Sequence, residues 1–196
     1  MNSEKILDQE YWDKQYISNA TGWDLGQVSP PIKKYVDNLK DKHINILIPG
    51  CGNTYEAEYL LEQGFTNVTV IDIAPTLVKN LQKKFKDNTN ISIVLGDFFE
   101  HQGSYDLIIE QTFFCALPPL IREEYVSKMY QLLTEKGKLV GLLFNKIFDS
   151  GPPFGGTQIE YEQLFKDYFD FKIMENCHNS IAPRANSELF IEFQKK

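Results

Sequence analysis

Cysteine, histidine, methionine and tryptophan are all scarce here, with three, three, three and two copies in 196 residues. Cys51, Cys115 and Cys177 form an odd set with no CxxC spacing, which argues against a disulfide frame or a zinc site and for reduced thiols. No apolar run reaches membrane-spanning length, and the polar N-terminus has no signal-like apolar segment. Basic residues are outnumbered, 20 Lys and Arg against 27 Asp and Glu, for a net charge of −7. No basic stripe is left to grip nucleic-acid phosphates, and Lys33-Lys34 and Lys83-Lys84 read as solvated helix faces. These absences predict a cytoplasmic protein with neither a nucleic-acid nor a membrane partner.

What is present fits an ordinary globular chain of one domain, residues 1–196, with 42% apolar and 24% charged residues. A polar, helical segment (1–42) precedes an alternating core (43–196). The run Gly22 to Pro31 reads as an ordered loop, with Ser29 capping a helix that enters through Pro30 and Pro31 and continues to about Leu39. Strands are predicted at 44–48, 67–72, 91–95, 105–110 and 138–144, and helices near 54–63, 75–87, 121–134 and 158–168. Gly137 is read as the end of the 121–134 helix. Near-continuous apolar strands alternating with helices imply a parallel sheet covered on both faces. Two last strands, 171–174 and 188–193, are separated by a polar segment too short for a crossover helix, so an antiparallel pair is expected.

The most informative stretch is Ile48-Pro49-Gly50-Cys51-Gly52-Asn53, followed by the strand Val68 to Asp72. It reads as the first half of a nucleotide-binding βαβ unit, with Asp72 placed for ribose hydroxyls. The third glycine of the dinucleotide fingerprint is missing, and Tyr55 stands where it would be, which counts against NAD. S-adenosylmethionine carries no pyrophosphate, so a looser turn serves it. Asp97, after the third strand, suits the adenine amine, with Phe98 on the ring; its alternative is a simple turn cap. Gly50, Cys51, Gly52, Asp72, Ile73, Asp97 and Phe98 form the expected cofactor cradle. Glu110 and Gln111 end the fourth strand, where ligand groups commonly sit; a water-facing strand end is the alternative for Glu110.

Ile48 to Gly52, Asp97-Phe98-Phe99, Phe113-Phe114-Cys115-Ala116, Gly151-Pro152-Pro153 and Trp23-Asp24-Leu25-Gly26 together resemble the thiopurine S-methyltransferase superfamily. The plant "harmless to ozone layer" halide and thiol methyltransferases are the branch it looks most like, from about Trp12 to Arg184. The resemblance implies an α/β fold of the class I S-adenosylmethionine-dependent methyltransferases. That fold has a Rossmann-like seven-stranded sheet, an antiparallel last strand, helices on both faces and an N-terminal helical lid. It also implies that Trp12, Tyr16 and Trp23 contact the cofactor from the lid, although the plant pattern has tryptophan in place of Tyr16. Aromatic faces attract a sulfonium, while helical packing alone would explain Trp12 and Tyr16. Glu110 is expected to hold the methionine ammonium or to orient the acceptor. Where this chain has Gln111 the plant relatives have tyrosine, which puts the acceptor preference in question.

The implied reaction is methyl transfer to a small soft nucleophile (thiol, thiopurine or halide), leaving S-adenosylhomocysteine and using no metal. Glu110, Gln111, Phe113, Phe114, Phe154 and Arg184 are the acceptor-site candidates, with no catalytic base assigned. Arg184 matches an arginine of the plant pattern and is expected to attract an anionic acceptor or, alternatively, to pair with Glu188. A thiolate or halide arrives as a ready nucleophile, so the enzyme has only to align it and exclude water. A monomer is expected, with a weak homodimer as the alternative. An NAD-dependent oxidoreductase and a non-catalytic cofactor-binding protein remain the rival readings.

Overall fold

The computed structural model describes residues 6–196; residues 1–5 of the expected N-terminal segment lie outside that range. Its framework is one seven-stranded sheet in the order β3-β2-β1-β4-β5-β7-β6. The strands are β1 (Ile46–Pro49), β2 (Val68–Asp72), β3 (Ile91–Leu95), β4 (Tyr105–Gln111), β5 (Leu133–Phe144), β6 (Phe169–Asn176) and β7 (Glu188–Lys195). β1 to β5 pair in parallel, whereas β7 runs antiparallel to both β5 and β6, as the short β6–β7 connection predicts.

The strands are apolar on both faces because helices cover both. Leu47, Ile108, Leu139 and Leu143 face α5 (Arg122–Leu132) and α6 (Gln158–Phe165), packing with Tyr125, Val126, Met129 and Phe165. The alternate residues Ile46, Ile48, Val70, Ile109 and Val140 join the second core, under α2 (Pro30–Asp37), α3 (Tyr55–Glu62) and α4 (Pro75–Lys84). This period-two division is what the pleat dictates. One more helix, α1 (Gln9–Ile17), lies at the N-terminus and buries no residue fully. No helix among the described residues is long and apolar enough to cross a membrane.

Five local expectations need correction. The helix predicted over 121–134 stops at Leu132, and β5 begins at Leu133, which pairs with Tyr105 ahead of a register shift in β4. Gly137 is no helix terminator: the left-handed residue is Lys136 (φ 63°). A side chain at Gly137 would press within about 3.0 Å of the Thr134 and Tyr105 carbonyls. Ser29 precedes α2 without a side-chain cap; it is buried and its N–H donates to Glu56 Oε1 at 3.1 Å. The helices predicted over 75–87 and 158–168 end at Lys84 and Phe165, each closing in a turn.

Candidate active site

A cavity of about 1110 Å³ opens over the C-terminal ends of the parallel strands, where such sheets place their ligands. Its floor begins with the turn after β1. Gly50 and Gly52 take φ of 53° and 52°, and a side chain on Gly50 would drive into the Phe113 ring. Glycine is required there by both handedness and contact. Asp72, at the tip of β2, holds this turn: it accepts from Gly52 N at 3.2 Å and from Ala74 N at 3.0 Å. It is 8% exposed, and burial pushes its carboxyl above the ordinary range against these backbone donors. A carboxylate has about four lone-pair sites, so Asp72 can still receive hydroxyls from the cavity it lines. Asp97, at the tip of β3, accepts from Phe99 N at 2.9 Å, as in the turn-cap alternative, and also lines the cavity. Cys51, Ile73 and Phe98 complete this wall.

The roof comes from α1 and the following loop. Trp12 and Tyr16, one helical turn apart, both meet Trp23 edge-on, with ring centroids 5.6 Å and 6.0 Å away, and all three line the cavity. Burial, then the nearby Asp72 and Cys51, push the Tyr16 hydroxyl well above its usual range, so it stays neutral. Polar ties fasten the roof. Asp13 accepts from Thr76 N at 2.6 Å and from its hydroxyl at 3.1 Å, capping α4 from outside because Ala74, at its N-cap, has no side chain to do so. Gln9 donates to the Ile73 carbonyl at 3.1 Å. Asp24 accepts from Asn53 and from Tyr55. The sequence motifs do not mark these ties; the i, i+4 spacing of Gln9 with Asp13 and of Trp12 with Tyr16 signals only which residues share a helix face, not their partners.

The far half of the cavity lies over β4, β5 and the segment before β7. Gln111, Phe113, Phe144 and Phe148 line it, with Pro152 and Pro153 beside two cations, Lys146 and Arg184. Arg184 is part-buried, paired with Glu188 at 3.4 Å, donating to the Trp23 carbonyl at 2.9 Å and lying over Phe144. The expected roles as cavity cation and Glu188 partner are thus not exclusive. Both amide atoms of Gln111 are shielded and have no hydrogen-bond partner among the described residues. Lys146, Phe144 and Phe148 are lining residues that the motif reading missed.

Three candidates stand outside the lining. Glu110 is fully buried beneath the turn that follows it, neither facing the cavity nor water. Phe114 lies under the wall, against Tyr125 and Tyr161. Phe154 packs on Gly151, donates to the Cys115 carbonyl at 2.6 Å and offers its own carbonyl to Arg122. Among the described residues, no group of three His, Cys, Asp or Glu is arranged to hold a metal ion.

The thiopurine S-methyltransferase family model matches residues 7–193. "Probable thiol methyltransferase 2" of Arabidopsis thaliana is 35% identical over 192 residues, covering 94% of this chain and 84% of that protein. "Thiopurine S-methyltransferase" of Vibrio campbellii is 30% identical, covering 83% and 84%. "Thiocyanate methyltransferase 1" of Brassica oleracea is 27% identical, covering 97% and 87%. Among solved structures, the Burkholderia thailandensis 1,6-didemethyltoxoflavin-N1-methyltransferase, with 1,6-didemethyltoxoflavin and S-adenosylhomocysteine bound, superposes with a TM-score of 0.75. It is 17% identical, covering all of this chain and 93% of that one. A TehB-like S-adenosylmethionine-dependent methyltransferase from Corynebacterium glutamicum gives 0.68 at 19% identity, covering 96% and 98%.

Proposed function

The chain belongs to the thiopurine S-methyltransferase family, and from that premise we propose that it methylates a small, soft, anionic nucleophile from S-adenosylmethionine. The observation that carries this reading is one cavity lined on one side from the ends of β1, β2 and β3 and on the other from β4, β5 and the approach to β7. The half over β1, β2 and β3 fits an adenosyl group: a glycine turn free of side chains, Asp72 facing inward for the ribose, and Asp97 with Phe98 for the adenine. The half over β4, β5 and the β7 approach is aromatic and carries Arg184 and Lys146, which suits a thiolate, a thiopurine or a halide. When bound, the cofactor supplies an already activated methyl group.

The protein's own contribution is alignment and exclusion of water. Trp12, Tyr16 and Trp23 close the roof and offer aromatic faces to a positive sulfur. Neutral Tyr16, and Cys51 and Cys115 held protonated by burial, present no competing anion to the methyl group. Three free, buried thiols also support a reducing compartment such as the cytoplasm.

Calorimetry with S-adenosylhomocysteine, then incubation with S-adenosylmethionine and a panel of thiols, thiopurines, iodide and thiocyanate, tests the assignment. The expectation is tight product binding and a methylated thioether, thiocyanate or methyl halide, read by chromatography. Binding without transfer to any member would instead make the chain a cofactor-binding protein. Arg184→Ala should raise acceptor KM about tenfold or more. It should also lower stability by about 3 kcal/mol, because Glu188 is left buried and unpaired. A normal KM would remove Arg184 from the acceptor site.

A further inference from the structure

Glu110 is a buried carboxylate that methyl transfer itself does not require. It is the penultimate residue of β4, and its side chain turns back onto its own chain. Oε1 accepts from the N–H of Phe113 at 2.8 Å and of Phe114 at 2.9 Å, while Oε2 accepts from the Tyr125 hydroxyl at 2.6 Å. Among the described residues no cation lies within ion-pair distance. Among the described residues two titratable groups face it, Tyr125 from α5 and Cys115 just after the turn, and burial keeps both neutral. β5 presents Gly141 opposite it, where any side chain would strike the Glu110 backbone, and β1 presents no titratable group.

The turn so held is strained and faces the cavity. Thr112, a β-branched residue, takes φ of 62°, a conformation that persists only when its surroundings over-determine it. Gln111, Thr112 and Phe113 all line the cavity, and Phe113 closes against Gly50 of the cofactor turn. We infer that Glu110 is a positioning residue whose ionised carboxylate clamps the Gln111–Phe114 turn and so sets the wall between the cofactor and acceptor halves.

The charge matters because the ionised form can accept all three hydrogen bonds. A protonated carboxyl must donate its own hydrogen, and both N–H bonds lose their charge assistance. Burial pushes this carboxyl up to about 7, against the opposing pull of Tyr125, Phe114 and Phe113, so the two forms exchange near neutral pH.

The inference rests on the cofactor reading above, and calorimetric titration with S-adenosylhomocysteine from about pH 8.5 to about pH 5.5 tests it without an acceptor. Wild-type affinity should fall about fivefold on acidification, with a midpoint near neutrality. Glu110→Gln keeps an acceptor for both N–H groups and can donate to Tyr125, so its profile should be flat through that region. Tyr125→Phe removes a bond that favours the charged form, so its midpoint should move upward, a shift that a merely structural role would not produce. A midpoint shared by wild type and Glu110→Gln would overturn the inference while leaving the cofactor reading intact. No affinity in the wild type at any pH would overturn both.

Discussion

The helix over the cavity and the sheet beneath it are held by different kinds of interaction. α1 buries no residue fully and is fastened by Gln9 to Ile73 and by Asp13 to Thr76. The loop after it adds Asp24 to Asn53 and Trp23 to Arg184. β1 is buried at every position, and the neighbouring strands send apolar residues into two cores. A few hydrogen bonds, each contributing about 1 kcal/mol, can open without disturbing a core whose burial is collective. The roof, whose Trp12 and Tyr16 pack only partly buried against the core, is therefore expected to open at lower cost than the floor, which suits a protein that must admit a charged cofactor and then enclose it.

Gly50→Ala attacks the floor and should have the largest effect. The new methyl group meets the Phe113 ring, and the backbone is already left-handed, so neither partner can give cheaply. Affinity for S-adenosylhomocysteine should fall about 100-fold or more while the far-ultraviolet dichroism of the sheet persists. Wild-type affinity in this variant would mean that the cofactor lies elsewhere in the cavity.

The same contrast explains what could be read in advance. The floor is written locally: apolar strand, glycine turn and carboxylates at strand ends all lie within short windows. The β6–β7 pair was legible because Asn176 to Asn186 cannot hold a crossover helix. The roof's ties join residues far apart in the chain, 63 positions for Asp13 and Thr76, and nothing in either neighbourhood marks the partner. The start of β5 was hidden for a related reason, since Leu133 becomes a strand residue only by pairing with Tyr105. Glu110 shows a further limit. A strand-end carboxylate looks the same in sequence whether it meets a ligand, water or its own turn, and the deciding feature, left-handed Thr112, falls on a residue type that does not announce it.

Asp13→Ala should separate roof from floor. It removes two hydrogen bonds from the first turn of α4, one of them from an otherwise orphaned helix N–H, a loss of about 1–2 kcal/mol. Hydrogen exchange across residues 9–17 should accelerate, and product affinity should drop about fivefold, with β1 and β2 exchanging as before. If protection of α1 and of the strands fell together, roof and floor would be one cooperative unit and the contrast would fail.

The smallest effect is expected from the other polar tie on the same helix. Lys84 donates to Glu58 at 2.8 Å, linking the end of α4 to α3 with both side chains 40% exposed. Its distance nearly equals those of the Asp13 bonds, so geometry alone would rank the two alike. Water decides otherwise. The Lys84 and Glu58 charges are already well solvated when apart, whereas Thr76 N, at a part-buried helix start, has no side-chain acceptor but Asp13 among the described residues. Lys84→Ala should therefore change stability by no more than about 0.5 kcal/mol, less still at high salt, and leave α1 exchange unaltered. Equal losses in Lys84→Ala and Asp13→Ala, measured by denaturant unfolding in the same buffer, would show that the Asp13 cap on α4 contributes no more than a solvated ion pair.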